Sequence, residues 1–133
     1  MKTHSLHLFV VLACLLLPAV LPAADGAKTF DNGYTGNVTT TATTNNNSGY
    51  NKIKLETSND DTVRVETVEV YNRWTHDWDD ITIQCPIPAG SEDDPVITLP
   101  EDAQNGDRFR VRVTVSDGTD AGNKVTVTPS VTK

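Results

Sequence analysis

The chain has 133 residues, with 18 acidic side chains against 11 basic ones and a formal net charge of −7. A surface that acidic works against nucleic acid or anionic membrane as a partner. Aromatic residues make up only 6% of the chain while valine and threonine abound, a balance that favours strands over helices.

The chain opens Met1-Lys2-Thr3-His4, continues with an apolar run from Leu6 to Leu21, and reaches the small residues Ala23 and Ala24. This is the order of parts in a secretory signal peptide, so residues 1–24 are read as a leader and the protein as secreted, extracellular or periplasmic. Pro18 and Pro22 interrupt the run, whereas a membrane span normally needs about 20 unbroken apolar residues; no membrane association is expected after cleavage. Cleavage removes Lys2, leaving the remainder one charge more negative, and it removes Cys14. Cys85 is then the single cysteine, and no internal disulfide can form. A domain of this size must be held by its core, or by bound metal or oligomerisation.

Residues 25–49 read as a polar Thr/Asn-rich arm or edge strand, and residues 50–133 as the body with which that arm forms one domain. Asn37 and Asn46 each begin an Asn-x-Ser/Thr acceptor site. From Tyr50 to Thr57, Ile53 and Leu55 share one face while Lys52, Lys54 and Glu56 share the other. Thr62 to Tyr71 is a long strand with a phase error: Val63 and Val65 have one parity, Val68 and Val70 the other. One extra residue near Glu66-Thr67 reconciles the two sets, which predicts a β-bulge or a change of sheet there. Ile81, Ile83, Cys85 and Ile87 predict another inward face, with Pro86 and Pro88 marking an edge or strand end. Val96–Leu99 is a short strand. Phe109, Val111, Val113 and Val115 alternate cleanly, and Val125 and Val127 begin the last strand.

Six to eight short strands separated by turns predict an all-β fold, an antiparallel β-sandwich of immunoglobulin-like or jelly-roll-like type. The paired cysteines of antibody domains are missing. The stretch Val96–Pro129, with Gly106-Asp107-Arg108 opening one strand and Gly122-Asn123-Lys124 preceding Val125-Thr126-Val127, loosely resembles strand-turn-strand units of phage fibre proteins. It covers a quarter of the chain and assigns no family.

The segment Tyr71–Asp80 holds both tryptophans and the only histidine outside the leader. If the segment is a strand, Trp74, His76 and Trp78 share a face with Asn72 and Asp80. An indole packs on the C–H face of a sugar ring while carboxylates and amides bond its hydroxyls, so Tyr71, Asn72, Trp74, His76, Asp77 and Trp78 form a candidate carbohydrate site. The competing expectation is that one or both tryptophans fill the core. Acidic turns raise a second possibility, a structural calcium held by Asp79, Asp80, Asp117 and Asp120 among pooled loop carboxylates, against the plainer reading of a solvated acidic surface. Arg108, Arg110 and Arg112 line the polar side of one strand about 7 Å apart; they suit an anionic polysaccharide or a partner's carboxylates, or cross-strand pairing with Glu66 or Glu69. Cys85 has the parity of buried isoleucines, which predicts an inert thiol rather than a nucleophile paired with His76. No catalytic set or resident cofactor is expected. The function expected is a non-catalytic module binding carbohydrate or another extracellular surface ligand; the alternative is a structural subunit or adhesin of a fibre or coat, a homo-oligomer built by strand addition.

Overall fold

The structure, a computed structural model, describes residues 25–44, 49–58, 60–118 and 124–133. Residues 1–24, expected to be a leader, the Asn-x-Ser/Thr motif at Asn46 and Asp120 lie outside the described residues. The described residues form eight strands: β1 Lys28–Asp31, β2 Thr35–Thr41, β3 Lys52–Thr57, β4 Thr62–Asn72, β5 Asp77–Asp80, β6 Val96–Thr98, β7 Arg108–Ser116 and β8 Lys124–Thr132. They form two four-stranded antiparallel sheets, β1-β8-β3-β6 and β2-β7-β4-β5, packed as a sandwich. Counting inward from the two ends, β1 pairs with β8, β2 with β7, β3 with β6 and β4 with β5. The chain is therefore one long antiparallel ribbon rolled on itself, closed by β3–β8 and β4–β7 pairing. That winding is a jelly roll and not the immunoglobulin order.

The core is aliphatic. Ile53 and Leu55 of β3, Val63, Val65 and Val68 of β4, Val111, Val113 and Val115 of β7, and Val125 and Val127 of β8 are buried between the sheets, with Phe30 and Phe109 among them. Neither tryptophan belongs to it. The polar segment after the leader joins both sheets, β1 and β2 each forming an edge. Its threonines are used across strands: Thr35 Oγ1 lies 2.8 Å from Thr114 Oγ1, and Thr29 Oγ1 lies 2.8 Å from Thr126 Oγ1. Gly36 is needed for close packing, since a Cβ there would sit 2.5 Å from Phe30 Cε1.

The phase error in β4 resolves as a bulge. Val65 pairs with Val113 but Thr67 with Arg112, so Glu66 is the extra residue and Val63, Val65 and Val68 all reach the core. The Glu66 carboxylate turns outward, accepting bonds from Thr114 Oγ1 (2.8 Å) and Arg64 Nε (2.7 Å).

The strand expected at Ile81–Ile87 is not formed. Asp80 Oδ1 accepts bonds from Thr82 N (2.9 Å) and Thr82 Oγ1, and Val68 N donates to Thr82 Oγ1 (2.9 Å). This side-chain capture ends β5 and turns the chain into a 3-10 turn at Thr82–Gln84. Ile83 is consequently thrown into solvent, 97% exposed, while Cys85 remains buried.

Because stability rests on this aliphatic layer, Ile53→Ala should cost about 2–5 kcal/mol in urea unfolding. Trp74→Ala, which removes no core contact, should stay within about 0.5 kcal/mol of the parent.

Candidate functional site

The two outer faces of the sandwich differ in chemistry. On the β1-β8-β3-β6 sheet the outward residues are mostly threonines, lysines and acids, with Ser130 and the exposed Val96, and Lys54 and Glu56 are paired at 3.1 Å. On the β2-β7-β4-β5 sheet, residues after the Glu66 bulge put Glu69 and Tyr71 outward, opposite Asp80 and Trp78 of β5. Arg108 and Arg110 of β7 project on the same side.

These side chains form one packed group. Tyr71 and Trp78 meet edge to face with ring centroids 5.4 Å apart. The Arg110 guanidinium carbon lies 4.6 Å from the Trp78 ring centroid, and that of Arg108 lies 5.6 and 5.7 Å from Tyr71 and Trp78. Glu69 grips Arg110 through two bonds, from Nε at 2.6 Å and Nη2 at 3.0 Å. This forked pair meets the cross-strand expectation at Arg110 alone, Arg108 turning to Asp25 instead, and holds the Arg110 pKa above its ordinary value, chiefly through the Glu69 hydrogen bond.

A groove of about 730 Å³ opens beside this group. Tyr71, Trp78, Arg108 and Arg110 form one wall; Asn37, Val38 and Thr39 of β2 and residues Gly26, Ala27 and Lys28 form the rest. The N-terminal segment runs along the edge of β2, with Gly26 N bonded to Thr39 O at 2.9 Å and Lys28 Nζ to Asn37 O at 3.4 Å. Asp25 closes one end, bonded by Thr41 Oγ1 and 3.7 Å from Arg108 Nη2. The groove falls in the size range of small-molecule sites. A second cavity of about 190 Å³, between the 3-10 turn and residues 99–107, falls below it.

The residues singled out in Tyr71–Asp80 divide by role. Positions 73–76 are a turn, not a strand, so Trp74 and His76 do not continue the face of Trp78. Trp74 stands at the hairpin tip, 94% exposed. His76 takes a left-handed backbone (φ 56°), uncommon outside glycine, and its Nδ1 lies 3.4 Å from the Tyr71 hydroxyl. Asn72 builds the turn: its Oδ1 accepts bonds from Trp74 N (2.9 Å) and Thr75 N (3.3 Å), while its Nδ2 donates to Asp79 Oδ2 (2.9 Å). Asp77 Oδ1 accepts from Trp78 N at 2.8 Å. Tyr71, His76 and Trp78 are thus brought together, Trp74 is offered to solvent, and Asn72 and Asp77 hold the hairpin that carries them. Lys28, Asn37, Thr39, Arg108 and Arg110 belong to the groove but not to the segment; the outward parity of Arg108 and Arg110 was the one sequence signal for them.

Of the expected calcium ligands, the described ones, Asp79, Asp80 and Asp117, are not brought together. Asp80 lies opposite Glu69 and Ser116 opposite Thr62, so Asp79 and Asp80 are separated from Asp117 by about 20 Å of strand. Asp79 and Asp80 are moreover engaged with Asn72 and Thr82. Among the described residues, no group of three or more acidic, histidine or cysteine side chains is placed to hold a metal.

Cys85 is buried 5% exposed, and burial, then the nearby Asp80 charge, pushes its thiol pKa up. Thiol reagents at neutral pH should therefore leave Cys85 of the native protein unlabelled and modify it once the protein is unfolded in urea.

Two carboxylates outside the groove give stability a pH dependence. The Asp80 pKa is lowered by the Thr82 side-chain and then backbone hydrogen bonds; that of Glu66 is lowered by Thr114 and then Arg64. Depressed folded values mean that their contribution is fully present above the ordinary 3.8 and 4.5 and is lost as pH falls through the folded values. Thermal melts should show the midpoint dropping below about pH 4.5, and Glu66→Gln should flatten that drop.

Neither protein-family models, nor curated protein sequences, nor solved structures match this chain.

Proposed function

We propose that this is an exported, non-catalytic β-sandwich protein that binds carbohydrate through the outer face of the β2-β7-β4-β5 sheet. The observation that carries this reading is the exclusion of both tryptophans from the core: Trp78 is fixed beside Tyr71 at the groove, and Trp74 is presented at the tip of the same hairpin. A bare indole in water is an unfavourable use of apolar surface unless something covers it. A sugar ring supplies an apolar C–H face for an indole and hydroxyls for Asn37 and the Arg108 guanidinium.

Assembly by strand addition, the rival reading, has less support on this sheet. Three of the four residues of the β5 edge are aspartates, and the N-terminal segment lies along the β2 edge. Charge and cover of this kind block edge pairing.

The test is titration of the protein with a panel of soluble polysaccharides, followed by tryptophan fluorescence and affinity electrophoresis. At least one glycan should shift the emission, and Trp78→Ala and Trp74→Ala should each weaken that binding about tenfold or more, with Trp74→Ala moving the thermal midpoint by less than about 4 °C. A folded protein whose fluorescence and mobility ignore every glycan would sink the reading.

A further inference from the structure

The groove carries a charge opposite to that of the protein around it. The chain has a net charge of −7, yet three cations, Lys28, Arg108 and Arg110, line the groove; the carboxylates that meet them are Asp25, which closes one end, and Glu69, which is spent on Arg110. The three cations are not equivalent. Arg110 is committed: Glu69 takes its Nε and Nη2, and its plane lies against Trp78. It serves as scaffold, fixing the indole.

Arg108 is held differently. Its guanidinium is steadied by the Tyr71 and Trp78 rings, and its carboxylate contact is Asp25, 3.7 Å from Nη2 alone. The same Asp25 carboxylate also accepts the Thr41 hydroxyl. A guanidinium has five N–H donors, so Arg108 keeps most of its fork for another acceptor. Lys28 has one long bond, 3.4 Å to Asn37 O, and its ammonium lies 5.4 Å from the Phe30 ring. Three donors on that nitrogen leave it, too, with capacity facing the groove.

From this placement we propose that the ligand of the groove is an acidic oligosaccharide, with one carboxylate or sulfate bound by Arg108 and another, farther along the groove, by Lys28, while a ring lies against Tyr71 and Trp78. The proposal rests on the carbohydrate reading and adds the substrate class. An anionic group meeting a fork already steadied by two rings loses little side-chain entropy on binding, and charged bonds of this kind are the strong ones. The acidic surface outside the groove disfavours polyanions that fail to seat in it, so recognition is local and not a general basic attraction.

The experiment compares four polymers by affinity electrophoresis and calorimetry at about 0.15 M salt, where long-range charge effects are screened. They are polygalacturonate, the same polymer with its carboxyl groups reduced to neutral galactose, dextran sulfate, and dextran. The wild-type protein should bind an acidic polymer at least tenfold more tightly than its neutral counterpart, and which acidic arm responds tells carboxylate from sulfate. Arg108→Gln and Lys28→Gln should each lose about tenfold or more of that binding with an unchanged thermal midpoint. Lys52→Gln, on the opposite sheet, should lose none. Equal binding of acidic and neutral polymers would overturn the acidic class while leaving carbohydrate binding in place. Acidic binding that survives both groove variants would overturn the groove as its site. No binding to any of the four by a folded protein would overturn this proposal together with the reading it rests on.

Discussion

The bulge at Glu66 is the constraint on which the rest of the molecule depends. β4 is an inner strand of its sheet and must feed the core from two sets of valines with opposite parity. Before Glu66 the odd-numbered residues Val63 and Val65 face inward; after it the even-numbered Val68 does. Without the extra residue, Glu69 and Tyr71 would point between the sheets, where a charge and a phenol have no partners. With it they point out, where Glu69 meets Arg110 and Tyr71 meets Trp78. A single inserted residue thus serves packing on one face and assembles the site on the other.

The bulge explains which side chains of β4 reach the site, and the rolled topology explains why the site is composite. β7 lies between β2 and β4, so a residue of β7 is flanked at once by the N-terminal part of the chain and by the tryptophan hairpin. Arg108 touches Asp25 on one side and the aromatic pair on the other, although these groups are far apart in sequence. The groove can form only when the ribbon has rolled up. Long-range pairing dominates the fold, which makes the groove a property of the whole domain and not of any one hairpin. The core also carries the load that disulfides carry in many exported domains of this size: the described residues contain one buried, free cysteine.

Much of this fold is legible in the sequence because a half-buried strand declares itself by alternation. Phe109 to Val115 and the split valines of β4 specify inward faces, and the parity error specifies the bulge, without any knowledge of partners. The same logic fails at Ile81–Ile87. There the isoleucines alternate as in a strand, but Asp80 offers an oxygen two residues ahead and the backbone takes that local bond instead. It fails again at Trp74, where Asn72 captures two backbone N–H groups and folds positions 73–76 into a turn. Short polar side chains that bond their own backbone are invisible to a hydrophobic period. The groove was half legible for a different reason. Its aromatic wall is contiguous in sequence, whereas Lys28 and Asn37 reach it only through sheet order, which periodicity does not encode.

Exposure of the tryptophans follows from the same accounting. The core fills itself with small branched residues at high density, Ile53, Leu55 and Ile97 being among the largest of its fully buried side chains. An indole placed in that layer would need its neighbours to be cut back and its N–H to find a buried partner. Keeping both tryptophans outside avoids those costs, but then the solvation of their faces has to be offset elsewhere. For Trp78 the offset is visible: Arg110, itself neutralised by Glu69, covers part of the ring, and Tyr71 meets it edge to face. For Trp74 the structure supplies no such cover, since the turn that presents it is built entirely from backbone bonds to Asn72. A hairpin that spends an asparagine to hold a bare indole in water, beside a groove whose cations are steadied by aromatic rings, has the parts a ligand would complete. Ring surface left uncovered beside steadied cations is what the proposed saccharide binding requires.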